Sequence, residues 1–285
     1  MAGIDINRTT IGLPADVSNE ILAKTQDESA IMTLARQIAL PGRGVEIPVI
    51  TADPIAEWVD ETDSKKVSPA LLGKKIMTAY KLAVIVPFSN EFRRDASALY
   101  DALVERLPRA LAYQFDQTVI GAVKAPGANF DQLNGGTPEA LDYAGLVAAD
   151  GTIAAAGGEM DGIALAPAGK AALLGAVDRQ GRPLFINTAA EGAVPYILGA
   201  RTVIGKGVYD ATNGTIAVAG DWTQALYGTV EGVKIDYSEQ AAIITGNGAV
   251  SLWQNNMFAV RAEIEIGFRA DTNCFVTFTA GSDSE

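Results

Sequence analysis

The sequence predicts an α+β protein in which a compact α/β unit is inserted between the two halves of another domain. Three patterns carry that prediction. The first is a long amphipathic helix: Leu99, Leu103, Leu107, Leu111, Phe115 and Val119 recur every four residues, drifting slowly around one face. The second is strand alternation on both sides of that helix, before it up to Phe88 and again beyond Val260. The third is a change of texture from Ala122 to Gly228, where short helix and strand patterns alternate between glycines.

Taken in order, the first segment, residues 1–40, is polar with scattered apolar anchors at Leu13, Val17 and Ile21. Ile31, Leu34 and Ile38 recur at helical spacing, which predicts a short amphipathic helix around Glu28 to Gln37. The earlier stripe is too narrow for a core of its own, so an arm lying on a neighbour is expected. Pro41-Gly42-Arg43-Gly44 is a breaker. After it Val45, Ile47 and Val49 alternate with Glu46 and Pro48, and the proline restricts this strand to an edge or a two-stranded ribbon. Its expected partner is a strand from Lys75 to Phe88, with Ile76, Thr78, Tyr80, Leu82, Val84 and Val86 on one face. The two read as a long hairpin whose large charged tip holds Glu57, Trp58, Asp60, Glu61, Lys65 and Lys66. A ribbon of two strands is marginal alone in water, and a neighbouring subunit is one way to hold it.

The long helix runs from about Asp95 to Ile120, roughly 37 Å of rod at 1.5 Å per residue. Pro108 lies within it and Gly121 is a natural stop. In the inserted stretch, Thr137-Pro138-Glu139 has the order of N-cap, N1 proline and early acid, predicting a helix towards Ala149. Short strands are expected at Ile163–Ala166, Ile216–Ala219 and Ala225–Tyr227, a helix at Ala168–Val177 and a loop at Asp178–Pro183. At the end, Val260, Ala262, Ile264, Ile266 and Phe268 face one way and Arg261, Glu263, Glu265 and Arg269 the other. Phe275 to Thr279 continues the pattern after a turn at Asp271-Thr272-Asn273. The expected sheet partner of these strands is the Ile76–Val86 region.

Composition narrows the function. Of 285 residues none is histidine and one, Cys274, is cysteine, so neither an internal disulfide nor a His/Cys zinc site nor Ser-His or Cys-His catalysis can be built. A single thiol and a start without an apolar signal segment suit a reducing cytoplasm. The longest strongly apolar run, Leu82 to Phe88, has strand dimensions, so no membrane role is expected. With 22 basic and 34 acidic residues the net charge is −12, which repels polyanions at long range. The basic pairs Arg93-Arg94 and Lys65-Lys66 are too small to grip nucleic acid, although an acidic protein can still enclose it. Gly205-Lys206-Gly207 and Gly246-Asn247-Gly248 match no nucleotide-binding fingerprint and read as turns.

The acidic cluster Glu57, Asp60, Glu61 and Asp63 could hold a divalent cation, but it lacks calcium-loop spacing, and a solvated tip or an intersubunit contact fits better. Trp58 is either a local core residue or an anchor in a neighbour's groove. No catalytic residue, cofactor or metal is expected.

Several stretches share wording with a known family. Glu57-Trp58-Val59-Asp60-Glu61 with Ser64 to Pro69, Lys81 to Ser89 before the long helix, Ala219 to Ala225, and Leu252 to Ala262 follow one another in the right order over nearly the whole chain. They resemble the Hong Kong 97-like major capsid proteins of tailed bacteriophages. That resemblance implies an N-terminal arm (1–40), an extended loop (41–75), a peripheral domain with a spine helix (76–121 and 229–285) and an axial domain (122–228). It implies a non-enzymatic subunit that forms hexamers and pentamers of an icosahedral shell around double-stranded DNA. The implied intersubunit contacts are Glu57, Trp58, Asp60, Glu61, Lys65 and Lys66. Partners would be further copies, a portal, a decoration protein and a separate scaffolding protein, because Met1 starts directly at the arm where many relatives carry a cleaved scaffolding segment. The place would be the virion capsid, with assembly in the host cytoplasm. Some relatives join a loop lysine to a peripheral asparagine; Lys65 or Lys66 and Asn255 or Asn256 are the available partners. An encapsulin-like compartment shares the implied fold and is the alternative. A hydrolase using paired carboxylates in the inserted domain is a third reading, without a motif to support it.

Overall fold

The computed structural model describes residues 15–42, 44–52, 56, 58–59, 71–91, 96–176, 184, 196–245 and 248–280. The chain begins with α1 (Ala15–Glu28), α2 (Ala30–Leu34) and β1 (Arg36–Ala39). A ribbon of β2 (Val45–Ala52) and β3 (Leu71–Met77) precedes β4 (Tyr80–Ser89) and the long helix α3 (Ala96–Val119). Then come β5 (Glu139–Ala140), α4 (Tyr143–Ala155), β6 (Gly162–Leu165), α5 (Pro167–Gly175), β7 (Tyr196–Ile197), β8 (Ala200–Ile204) and β9 (Thr215–Gly220). The last strands are β10 (Ala225–Thr229), β11 (Lys234–Ser238), β12 (Ala242–Thr245), β13 (Gly248–Ser251), β14 (Met257–Ala270) and β15 (Phe275–Thr279).

The main sheet is organised around β14. On one side it pairs antiparallel with β4, from Met257 opposite Ser89 to Ile266 opposite Tyr80. On its other side β11 and β10 pair in succession, and β1 adds to β10 in parallel. The partner expected for the terminal strand is therefore the one it has, and its alternation orients it as expected: Ala262, Ile264, Ile266 and Phe268 are buried. Against this face lies α3, whose Leu107, Leu111, Phe115 and Val119 are buried, each contributing about 1.5–3 kcal/mol. Phe115 makes edge contacts with Phe130, Tyr227 and Phe268.

A second, six-stranded sheet has the order β5-β15-β9-β6-β8-β7. Its central strands β6 and β9 are buried at every residue, as expected where both faces are covered. Two adjacent crossovers join the sheets. The chain leaves β9 through a 3₁₀ turn at Trp222–Gln224 to enter β10 in the main sheet, and leaves β14 through a 3₁₀ turn at Thr272–Cys274 to return in β15. Asp221 and Asp271 cap these turns, and the crossovers hydrogen-bond each other: the Asp221 N–H donates to the Cys274 carbonyl and the Asp271 N–H to the Gln224 carbonyl.

Several expectations are corrected by these pairings. Residues 21–40 do not stand off as an arm: Ile21, Ala30, Ile31, Met32, Ala35 and Leu40 are buried in the chain's own main core. Their stripe needs no core of its own because it adds to one already built by α3 and β14. The helix expected to reach Gln37 ends at Leu34, because Arg36–Ala39 pairs with β10. The single strand expected from Lys75 to Phe88 is two, breaking at Thr78-Ala79, so Ile76 is exposed while Met77 is buried. The helix expected from Thr137 starts at Tyr143, because the Asp142 carboxylate accepts the Gly145 N–H at 2.6 Å and Glu139–Ala140 pairs with β15. By sheet membership, residues 225–228 belong with the main sheet and Phe275–Thr279 with the inserted one. Alternation marks a strand but not which sheet it joins. The loop expected at Asp178–Pro183 lies outside the described residues.

Candidate intersubunit surface

The ribbon of β2 and β3 is the feature that its own chain satisfies least. Its strands pair antiparallel from Val45 opposite Met77 to Ala52 opposite Leu71, and neither strand pairs with either large sheet. On its exposed face the Lys74 ammonium donates to Glu46 at 2.6 Å, and that hydrogen bond and charge raise the lysine pKa. An ion pair so open to water contributes little stability. Beyond β2, Trp58 is fully exposed at 105% and Val59 at 39%. The choice left open for Trp58 is thereby narrowed: it is no part of a local core. Glu57, Asp60, Glu61, Asp63, Lys65 and Lys66 lie outside the described residues.

The ribbon is attached at its base by two devices. The first is apolar. Gly228 and Gly267 face each other across β10 and β14, and a Cβ on Gly267 would lie 2.6 Å from the Thr78 carbonyl oxygen and 3.0 Å from Met77 Cγ. A Cβ on Gly228 would meet Met77 Sδ at 3.0 Å and Leu40 Cβ at 3.1 Å. The glycine pair thus floors a notch that Met77 fills, itself wholly buried. The second device is polar. Arg269 is buried, not outward-facing as alternation suggested. Its Nε donates to the Ile76 carbonyl at 2.8 Å, Nη1 to Asp131 Oδ1 at 2.7 Å and Nη2 to Asn129 Oδ1 at 3.2 Å. Asp131 Oδ2 accepts the Ala270 N–H, and Lys75 Nζ donates to the Ala270 carbonyl at 2.7 Å. Strand period placed Arg269 on the solvent face; the signal that it is buried is Asp131, which no local pattern links to it.

A second thin ribbon was missed by sequence reasoning. β12 and β13 pair only with each other; Ile244 on β12 is 87% exposed and Trp253, just after β13, 74%. Two short apolar runs across Gly246-Asn247-Gly248 are a hairpin signal that could have found it. Asn255 follows on an exposed turn, its Nδ2 donating to the Ser251 carbonyl, and the Asn256 carbonyl side-chain oxygen accepts from Asn90.

Asp142, Asp161 and Asp221 of the inserted unit are occupied as caps. Asp161 accepts the Trp222 N–H at 2.8 Å and Asp221 the Thr223 N–H at 3.0 Å, and burial, with Asp221 and Glu159 nearby, raises the Asp161 pKa. Among the described residues no group of three or more acidic or cysteine side chains could hold a metal ion, and no helix is long and apolar enough to cross a membrane.

Residues 10–275 match the sequence model of the phage capsid family. The chain belongs to the phage capsid family. Among similar proteins, "Probable major capsid protein gp17" of Mycobacterium phage L5 is 30% identical over 297 residues, covering 94% of this chain and 89% of that protein. The protein of the same description from Mycobacterium phage D29 is 28% identical, with the same coverage. A solved chain from Gordonia phage Cozz superposes with a TM-score of 0.70 at 25% identity, covering 90% of this chain and 87% of that one. One from Microbacterium phage Oxtober96 reaches 0.71 at 18% identity over 99% of this chain and 96% of its own. The fold is the Hong Kong 97-like capsid fold. These relatives do not favour the encapsulin alternative, and the family is a structural one, not an enzyme family.

Proposed function

We propose that the chain is the major capsid protein of a tailed bacteriophage, a structural subunit that assembles with copies of itself into a closed shell. The observation that carries this reading is the family match over residues 10–275, nearly the full length of the chain. The structure supplies a physical reason beside it: a ribbon presenting a fully exposed tryptophan that its own chain does not cover. In this reading the subunits form hexamers and pentamers of an icosahedral shell in the virion. They enclose double-stranded DNA without gripping it, consistent with a net charge of −12. The β2–β3 ribbon serves as the extended loop, reaching a neighbour through Trp58 and the charged tip of Glu57, Asp60, Glu61, Lys65 and Lys66. A scaffolding protein, a portal and a decoration protein complete assembly in the host cytoplasm.

The test is deletion of residues 62–68. The variant is expected to fold with an unchanged melting profile and to fail to close stable shells. Normal shells in electron micrographs would remove the extended-loop role. The contents of wild-type particles, DNA or a protein cargo, separate the phage capsid from a cellular compartment.

A further inference from the structure

We infer that Arg269 and Met77 are positioning residues for shell assembly, forming a pivot that fixes the direction in which the β2–β3 ribbon leaves the subunit. The inference rests on the ribbon's proposed role as the extended loop. Only two short links join the ribbon to the main sheet covalently. One is Thr78-Ala79, between β3 and β4; the other runs from Leu40 to Gly44, where Gly44 adopts φ 84° and its N–H donates to the Pro41 carbonyl. Both links meet the core at the glycine-floored notch that holds Met77 and Leu40.

Beyond that point the ribbon stands away from the core. An open groove of about 440 Å³ separates Ile47 and Pro48 on the ribbon from Gln224, Leu226 and Asp271. Among the described residues no strand pairing with either large sheet determines the ribbon's angle. What does is the clamp at its base, where Arg269 holds the Ile76 carbonyl and Lys75 holds the Ala270 carbonyl, so that the last turn of ribbon is tied to the end of β14 from both sides. The Arg269 guanidinium is itself fixed by Asp131 and Asn129, which lie in the segment after α3. A planar fork with bonds to two separate segments, Ile76 on β3 and Asn129 and Asp131 after α3, defines an orientation as well as a distance. Because a ribbon amplifies angle into displacement, a change of about 10° at the base moves a tip eight residues away by roughly 5 Å, at about 3.3 Å of rise per residue. A displacement of that size would take Trp58 out of any packed contact.

The experiment compares Arg269→Lys and the double variant Arg269→Met with Asp131→Asn against wild type and against the deletion of residues 62–68. Each protein is followed by thermal unfolding, by amide hydrogen exchange over residues 73–77, and by the yield of closed shells in electron micrographs. Lysine keeps the charge but not the fork. R269K is expected to melt cooperatively, with exchange over residues 73–77 faster by about tenfold and shell yield reduced severalfold. The double variant leaves no uncompensated buried charge; it is expected to melt near wild type and still assemble poorly. Wild-type shell yield from R269K, or recovery of shells by the double variant together with its melting temperature, would overturn the pivot. So would failure of both variants to fold, since the clamp would then be a requirement of the fold. Closed shells from the deletion would instead remove the extended-loop reading, whatever the Arg269 variants do.

Discussion

Asp116 supplies a prediction whose size can be worked from the structure. It lies on α3, fully buried, and its carboxylate ties that helix to two other segments: the Ser29 hydroxyl donates to Oδ1 at 2.5 Å and the adjacent Ala30 N–H to Oδ2 at 3.1 Å, and the Gly205–Gly207 loop packs over it. Burial pushes its pKa up to about 7, against the lowering effect of the Ser29, Ala30 and Ile31 hydrogen bonds. A carboxyl with a folded pKa near 7 and an unfolded pKa near 3.8 binds its proton more tightly in the folded state. Folding is therefore favoured by this group at low pH, and that stability is lost as pH rises from about 4 through about 7. Between pH 5 and pH 8 the change is about 2–3 kcal/mol. Asp116→Asn removes the titration and keeps the shape. Urea denaturation of unassembled subunits at pH 5 and pH 8 should show the variant gaining on wild type by that amount at the higher pH. An identical difference between the two proteins at both pH values would refute the reasoning, showing that Asp116 does not hold its proton in the folded subunit.

Trp58→Ala should leave the melting temperature of the free subunit unchanged, since the side chain is fully exposed, while weakening shells by about 2–4 kcal/mol per contact. Shell dissociation in denaturant checks this, and an unchanged midpoint would exclude Trp58 as an anchor. Gly267→Ala places a Cβ 2.6 Å from the Thr78 carbonyl oxygen, a backbone atom that cannot swing aside. The expected cost is about 1–3 kcal/mol, seen as a lower urea midpoint; no loss would show that the Thr78-Ala79 link yields freely.

What was legible in the sequence is what a single periodicity determines. The stripe from Leu107 to Val119 put α3 in the core because four apolar residues at helical spacing leave no other face to bury. The alternation of Tyr80–Val86 and of Val260–Phe268 identified two strands, and the place of the first beside the long helix made it the expected partner of the second. What stayed hidden depends on partners distant in sequence. The burial of Ile21 and Ile31 depends on room beside α3, and the start of α4 on a competition between Thr137 and Asp142 that β15 decides from the other end of the chain. Arg269 obeys the strand period of a solvent-facing residue and is buried by Asp131 and the Ile76 carbonyl. The site residues were recognised from the family's loop wording rather than from local chemistry, and of them only Trp58 is among the described residues.

The separation of a satisfied core from an unsatisfied ribbon bears on how such a shell could form without trapping errors. The buried polar groups described above pair within one chain: Asp116 with Ser29, Arg269 with Asp131, Asp221 and Asp271 with their own turns. None of these pairs draws on a neighbouring subunit. On the proposed function, the contact surface is then added in small increments. Burying an indole removes about 150–250 Å² from water, worth about 4–6 kcal/mol before the cost of ordering the tip is subtracted. The remainder is a few kcal/mol, weak enough for a misplaced subunit to leave and strong enough, once every copy is held by several neighbours, for the closed shell to persist. A larger apolar ribbon would bind more tightly one contact at a time, and would also expose an unpaired strand edge prone to indiscriminate pairing. Pro48, exposed on β2, and the charged pair Lys74 and Glu46 oppose that outcome. The thinness of the ribbon is thus consistent with reversible assembly, and the rigidity it lacks along its length is supplied at its base.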